Sequence, residues 1–206
     1  FLLVAQVDDG FGNAGLASIP VSGAGVPGVL ASVQGSPPNH YAPRLSWNGS
    51  SYLLAYDWDS VEVRALRLTA AGVPIGTQLT VGTIFSGPPA VSTNGTNWLV
   101  TWGCWSGTAG ELCGRRISAT GSLLDAAPFF ISTADGGQAN PSVGWSGTDW
   151  FVAWSDTRSG QADVYGARVS SAGSVLDPAG IPIRVTPGNA EGDLTVDPGS
   201  NGVLVT

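Results

Sequence analysis

Three segments of this chain align with one another, and an internal repeat limits the fold more tightly than any other feature a sequence can carry. Pro43-Arg44-Leu45-Ser46-Trp47-Asn48-Gly49-Ser50-Ser51-Tyr52-Leu53-Leu54-Ala55-Tyr56 matches the segments from Pro89 to Trp102 and from Pro141 to Trp154. Each runs as proline, alternating segment, Asn-Gly or Ser-Gly, aromatic segment. A second half follows each one, Ala65-Leu66-Arg67-Leu68, Gly114-Arg115-Arg116-Ile117 and Gly166-Ala167-Arg168-Val169, leading to turns at Gly72, Gly121 and Gly173. Those glycines recur about 50 residues apart, a period typical of propellers and solenoids. Gly25-Val26-Pro27 extends the series backwards to match Gly72-Val73-Pro74.

One unit reads as four short antiparallel strands. Leu45 and Trp47, Val91 and Thr93, and Val143 and Trp145 alternate at the period of two that marks a strand. Asn48-Gly49 and Asn94-Gly95 tolerate positive φ, as a tight hairpin requires, and Ser146-Gly147 is a weaker version. The second strand is aromatic and branched on both faces, the third carries the recurring arginine, and the fourth is expected over 78–81, 129–132 and 183–186. No helical apolar periodicity of useful length occurs, so the chain is all-β.

Units of this size that cannot bury their own faces are expected to stack as β-propeller blades. The Trp-Asn-Gly-Ser-Ser-Tyr-Leu-Leu-Ala-Tyr segment, with Asp156-Thr157-Arg158-Ser159-Gly160 and Asp163-Val164-Tyr165-Gly166-Ala167-Arg168-Val169, resembles the repeats of secreted or cell-surface bacterial β-propeller proteins. That resemblance implies secretion and a binding role. Phe1–Gln6 reads as a second strand, with Ala5 at the place of Ala55 and Ala153, and 193–196 as a first strand. Joining the two predicts four blades of four strands, one split between the termini. The domain is then 1–206, with units at about 1–42, 43–88, 89–140 and 141–192 and with 193–206 completing the first blade or starting another. Val203–Thr206 duplicates the second-strand role; it suggests self-association through terminal strands, or a window cut from a larger array. A start at Phe1 within a strand, with no initiator Met, points the same way.

Composition narrows the function. Hydrophobic residues at 43% suit a packed core despite 30 glycines and 14 prolines. Eight Lys/Arg against fifteen Asp/Glu leave a net charge of -7, which provides no footprint for nucleic acid or an anionic membrane. Apolar runs fall far below the roughly 20 residues that span a bilayer, and no lipidation or signal motif is present. Cys104 and Cys113 are too few for a zinc site; a disulfide between them, stapling one long bend, points to an oxidising compartment.

No catalytic motif is present. The single histidine, His40, falls in the connection between the first two units and reads as a solvent-exposed loop residue. A spatial pair of carboxylates is the one enzymatic option, and the expectation is a protein that binds without catalysis. Asp57, Asp59 and Glu62, with Asp8-Asp9 and Asp156 at nearly the same place in other units, offer oxygens to calcium as the one cofactor option, although turn carboxylates of this kind usually serve solubility. Arg67, Arg116 and Arg168, with Pro20 at their place in the first unit, read as structural clamps, paired with Glu62, Glu111 or Asp163. Tyr52/Tyr56, Trp98/Trp102 and Trp150/Trp154 read as core between blades. Trp58 and Trp105 are placed just past the second strand, in the loop region beside Asp57, Asp59 and Ser106, where a flat ring can stack on a sugar or anchor a partner. The partner expected is therefore a glycan or extracellular protein, met on one rim of a secreted or cell-surface protein. Asn48-Gly49-Ser50 and Asn94-Gly95-Thr96 match the glycosylation sequon, but their coincidence with the hairpin turns explains them without sugar.

Overall fold

The structure, a computed structural model, describes residues 1–8, 10, 14–34, 39–83, 86–105, 107, 110–185, 195–199 and 202–206. Asp9, Ser106, Thr186 and Asp193 lie outside them. The described residues form five antiparallel sheets in chain order. The first holds β1 (Leu2–Asp8), β2 (Ala14–Pro20) and β3 (Ala31–Gln34). The second holds β4 (His40–Trp47), β5 (Tyr52–Trp58), β6 (Glu62–Leu68) and β7 (Pro74–Thr83). The third holds β8 (Ser86–Thr93), β9 (Trp98–Trp105), β10 (Gly110–Ile117) and β11 (Phe129–Ser132). The fourth holds β12 (Gln138–Trp145), β13 (Asp149–Asp156), β14 (Asp163–Ser170) and β15 (Ile181–Arg184), and the fifth β16 (Val196–Gly199) and β17 (Gly202–Val205).

Each full sheet is a meander in which every strand pairs with its sequence neighbour, as a propeller blade does. The predicted hairpins form between first and second strands. Asn48 Oδ1 accepts from the Ser50 and Ser51 amides at 3.0 and 2.9 Å, and Asn94 Oδ1 does the same for Thr96 and Asn97 at 3.0 and 2.7 Å. Gly49 and Gly95 follow at φ 98° and 86°, a region closed to most side chains. The sequons are these turns.

The split blade is not what the structure shows. β16 pairs with β17, Val196 opposite Val205, and β1 pairs with β2 alone. The physical reason is local: a hairpin closes over a few residues, whereas β1 lies at the far end of the chain and closing that loop costs more entropy. The sheets therefore run as three strands, three full blades and a two-stranded hairpin, without closure into a ring among the described residues. Leu2 pairs with Pro20 as Leu53 pairs with Arg67, so Val4 rather than Ala5 holds the place of Ala55 and Ala153. The fourth strand of the fourth sheet lies at Ile181–Arg184, two residues earlier than expected.

The core lies between sheets. Leu53, Ala55 and Ala65 of the second sheet pack on Trp98, Val100 and Trp102 of the third. One unit on, Leu99, Leu112 and Ile131 meet Trp150, Val152 and Trp154. One unit earlier, Leu2, Leu16 and Val33 meet Leu54 and Tyr56. Each sheet thus has a front face toward its successor and a back face toward its predecessor, and the aromatic second strand supplies the back face. Trp102 also donates its indole N–H to Thr83 O of the preceding sheet at 2.7 Å.

The recurring arginines join blades as well. Arg67 Nη1 donates to Thr120 O at 3.0 Å, and Arg116 Nη1 to Ser171 O at 2.8 Å, each reaching the turn between third and fourth strands of the next sheet. Their acidic partners are not the ones expected from the strand. Arg116 pairs with Asp125 at 2.6 Å and Arg168 with Asp177 at 2.8 Å, because the following turn folds back nine residues later. Glu62 pairs instead with Arg64 at 2.9 Å.

Candidate functional site

Of the expected rim residues, Asp57, Trp58 and Trp105 lie in strands rather than loops, and Asp59 lies in the turn after β5. Trp58 and Trp105 are the last residues of β5 and β9. The Arg64 guanidinium lies 3.6 Å above the Trp58 ring, so one face of that half-buried indole is already occupied. Arg64 is held there by Glu62, which also accepts from Thr80 Oγ1 at 3.3 Å. Asp57 Oδ1 accepts from the Ser60 amide at 2.7 Å. Burial pushes the Asp57 carboxyl above its usual range; the Ser60 N–H pulls it back in part and the Asp59 charge adds to the rise. Asp59 is exposed at φ 55°, its amide donating to Asn39 O at 2.8 Å. Trp105 is 50% exposed on the next blade. Among the described residues no three His, Cys, Asp or Glu side chains come together to hold a metal ion.

Strand register explains what Trp58 does. Tyr56 faces Arg64, Trp102 faces Cys113 and Trp154 faces Tyr165, which makes Trp58, Cys104 and Asp156 equivalent positions. Each blade closes this end of its second and third strands by a different device. The second sheet stacks Arg64 on Trp58. The third uses the Cys104–Cys113 disulfide, Cα atoms 5.8 Å apart, between adjacent strands and not across a long bend. The fourth buries Asp156, which accepts from Trp154 Nε1 at 2.9 Å and binds Arg158, whose guanidinium lies 4.0 Å from the Tyr165 ring. His40, expected in a loop, is the first residue of β4, its backbone opposite Trp58.

A different place brings four units together. The first strands β4, β8 and β12 pack side by side, β16 follows on β12, and their inner ends line a cavity of about 510 Å³. Pro43, Pro89 and Pro141 repeat there, and the next residue in each unit is Arg44, Ala90 or Ser142, opposite Ala55, Thr101 and Ala153. The residue before the proline has a left-handed backbone in two units, Ala42 at φ 48° and Asn140 at φ 51°. Ladder register slips at the same step in all three, between Tyr41 and Arg44, Ser86 and Ala90, and Ala139 and Ser142. Such a bulge re-aims the residues around it, and bulges gather at functional rims.

The lining alternates apolar and polar groups: Leu45, Val91 and Val143 with Arg44, Asn140 and Asp197. Arg44 and Asp197 are exposed, opposite in charge and from units at the two sides of the cavity. Ser142 Oγ accepts from the Val196 amide at 2.9 Å and fixes the fifth sheet against the fourth. Sequence reading missed this site. Its signal was available: at a position fixed by a repeated proline, Arg44, Ala90 and Ser142 differ in chemistry, whereas positions that build the blade keep theirs.

No family model matches this chain, and no curated protein does. Solved structures resemble it in fold. TolB from Acinetobacter baumannii matches with a TM-score of 0.54 at 13% identity over 99% of this chain, which spans 46% of that protein. A thermostable family-43 glycoside hydrolase gives 0.53 at 8% identity over 94% of this chain and 75% of the other. The alpha-L-arabinanase of Cellvibrio cellulosa, solved with arabinohexaose, gives 0.50 at 13% identity over 85% of this chain and 72% of the other. At these identities the likeness concerns the fold alone: antiparallel sheets arranged like propeller blades, shared by proteins described as enzymes and by TolB.

Proposed function

We propose that this chain is an extracytoplasmic binding module that holds a neutral, hydroxyl-rich ligand, a glycan, in the cavity between its first strands, without catalysis. The observation that carries the reading is the breakdown of the repeat at Arg44, Ala90 and Ser142, around a cavity that four units share. Guanidinium, amide and carboxylate groups supply the donors and acceptors that sugar hydroxyls need, and valine and leucine supply apolar surface for the ring. Arg44 and Asp197 balance in charge, which favours an uncharged ligand. Among the described residues the lining has one carboxylate, Asp197, whereas glycoside hydrolysis ordinarily uses two. The disulfide supports a location outside the reducing cytosol.

Titration calorimetry against neutral oligosaccharides tests this, with arabinohexaose as the first probe because a fold relative was solved with it. Binding should weaken at least roughly tenfold in Arg44→Ala and in Asp197→Ala and stay unchanged in Trp105→Ala. Loss confined to Trp105→Ala would move the site to the rim. Release of shorter sugars on prolonged incubation would sink the non-catalytic reading, and failure of a full glycan array would sink the ligand class.

A further inference from the structure

The recurring arginine is held differently in the second sheet. Pro74, Leu123 and Val175 stand opposite Leu68, Ile117 and Val169, which makes Gly76, Asp125 and Asp177 equivalent positions. Asp125 closes on the Nε and Nη2 edge of Arg116 at 2.6 to 3.2 Å, and Asp177 on the same edge of Arg168 at 2.8 and 2.9 Å. Gly76 has no carboxylate to give. Arg67 nevertheless keeps the other contact of the series: its Nη1 donates to Thr120 O at 3.0 Å as Arg116 Nη1 donates to Ser171 O at 2.8 Å, so the two guanidinium groups are posed alike. On the remaining edge, Nη2 donates to Ser51 Oγ at a long 3.3 Å, and Nε is buried with no hydrogen-bond partner. Buried donors in that condition are rare, and leaving one unpaired costs most when the group is charged. Among the described residues Arg67 also enters no ion pair.

Arg67 and Gly76 both line a cavity of about 220 Å³ between the second and third sheets. Leu53, Ala65, Ile75 and Leu79 give it an apolar wall, and Arg67 is the one charged residue of its described lining. A Cβ placed on Gly76 meets no atom within 4 Å, so the space from which Asp125 and Asp177 reach their arginines is open in this sheet. We propose that the cavity binds a short aliphatic carboxylate, whose head group takes on Arg67 the place that Asp125 takes on Arg116. A planar carboxylate matches the Nε and Nη2 fork with two parallel hydrogen bonds, as the aspartates of the other sheets do, and a tetrahedral oxyanion does not repeat that geometry. The alkyl tail lies against the leucine and isoleucine wall. At about 220 Å³ the space falls below the roughly 300 Å³ at which drug-sized ligands begin, which limits the tail to a few carbons. No residue is shared with the lining of the cavity between the first strands, so this site is independent of the proposed glycan site.

Nitrogen-proton NMR of the arginine Nε groups in the 206-residue chain, with sodium butyrate as the probe, tests the proposal. The Arg67 signal, assigned by its loss in Arg67→Lys, should shift and saturate at a half-effect on the order of 1 mM. The Arg116 signal, already on Asp125, should stay where it is. Shortening the probe to propionate and then acetate should weaken binding about two- to fourfold per methylene, and the uncharged butanamide should bind at least roughly tenfold more weakly than butyrate. Gly76→Asp supplies the carboxylate from the chain itself, at a φ of 74° that aspartate tolerates better than most side chains. It should abolish the butyrate response, by seating on Arg67 or by repelling a second carboxylate, with circular dichroism to verify folding. Calorimetric titration of Arg67→Lys, which keeps the charge without the fork, gives the same decision if Gly76→Asp does not fold: binding should weaken at least roughly tenfold. An Arg67 signal that does not move at about 100 mM butyrate overturns the proposal, as does an equal shift at Arg116. Equal binding of butanamide or sulfate, or butyrate binding retained in folded Gly76→Asp or in Arg67→Lys, overturns it as well.

Discussion

The inter-blade clamp can be isolated with Arg116→Met, which keeps the aliphatic stem and removes the guanidinium. Arg116 Nη1 donates to Ser171 O on the next sheet at 2.8 Å, and a hydrogen bond from a charged group contributes about 1.5 kcal/mol. Its other face binds Asp125 at 2.6 Å, with both side chains 15% exposed. Left with only the backbone N–H of residue 116, that mostly buried carboxylate adds about 1.5 kcal/mol of unfavourable desolvation. The sum, about 3 kcal/mol, corresponds to a melting-temperature drop of about 6–12 °C for a chain of this length. Arg168→Met is the internal control. Its ion pair with Asp177 has the same design at 2.8 Å but stands half in solvent, with no next-blade acceptor among the described residues, so its effect should be a small fraction of the first. Differential scanning calorimetry measures both. Equal drops for the two variants, or a drop under about 2 °C for Arg116→Met, would show that the bond between blades contributes little.

Alkaline stability should depend on Tyr56. Burial pushes its hydroxyl from the ordinary 10.0 up to about 12, with the Arg64 charge pulling it partly back, and the hydroxyl donates to Gln78 Oε1 at 2.7 Å. The folded state holds this proton more tightly than the unfolded state, so its contribution is complete below pH 10 and is lost as pH rises toward 12. Urea unfolding should show a steeper alkaline decline in the wild type than in Tyr56→Phe; matching slopes would exclude the mechanism. Reduction of Cys104–Cys113, nine residues apart, should lower stability by about 2.5 kcal/mol. Hydrogen exchange should then rise at the β9–β10 end, while the Trp58–Arg64 end stays as it was; an unchanged melting curve in reductant would refute this.

The blades were readable from the sequence because their signals are local. Asn48-Gly49 sets a turn within four residues, and Leu53, Trp98 and Trp150 announce strand faces by their neighbours. What depends on distance was not readable. The partners of Arg116 and Arg168 arrive with the next turn and the next blade, and neither is visible in the strand that holds the arginine. Trp58 was placed in a loop because nothing in its own segment reveals Arg64 above its ring. β16 pairs with β17 and not with β1 because Val203–Thr206 supplies a nearer partner than Phe1–Gln6, a contest between two second-strand segments that the repeat pattern alone does not decide. The cavity was missed because Arg44, Asn140 and Asp197 are brought together only by stacking of units, although the variation after each repeated proline marked the place.

The clamp also sets an order for the birth of the chain. Arg67 finds its acceptor at Thr120, 53 residues later, and Arg116 finds its own at Ser171, 55 residues later. A blade emerging from the ribosome or a secretion channel therefore closes its strands on its own but waits one further unit before its arginine is seated. Maturation trails synthesis by the length of one blade, and of the three recurring arginines Arg168, the last to emerge, is held by Asp177 of its own blade.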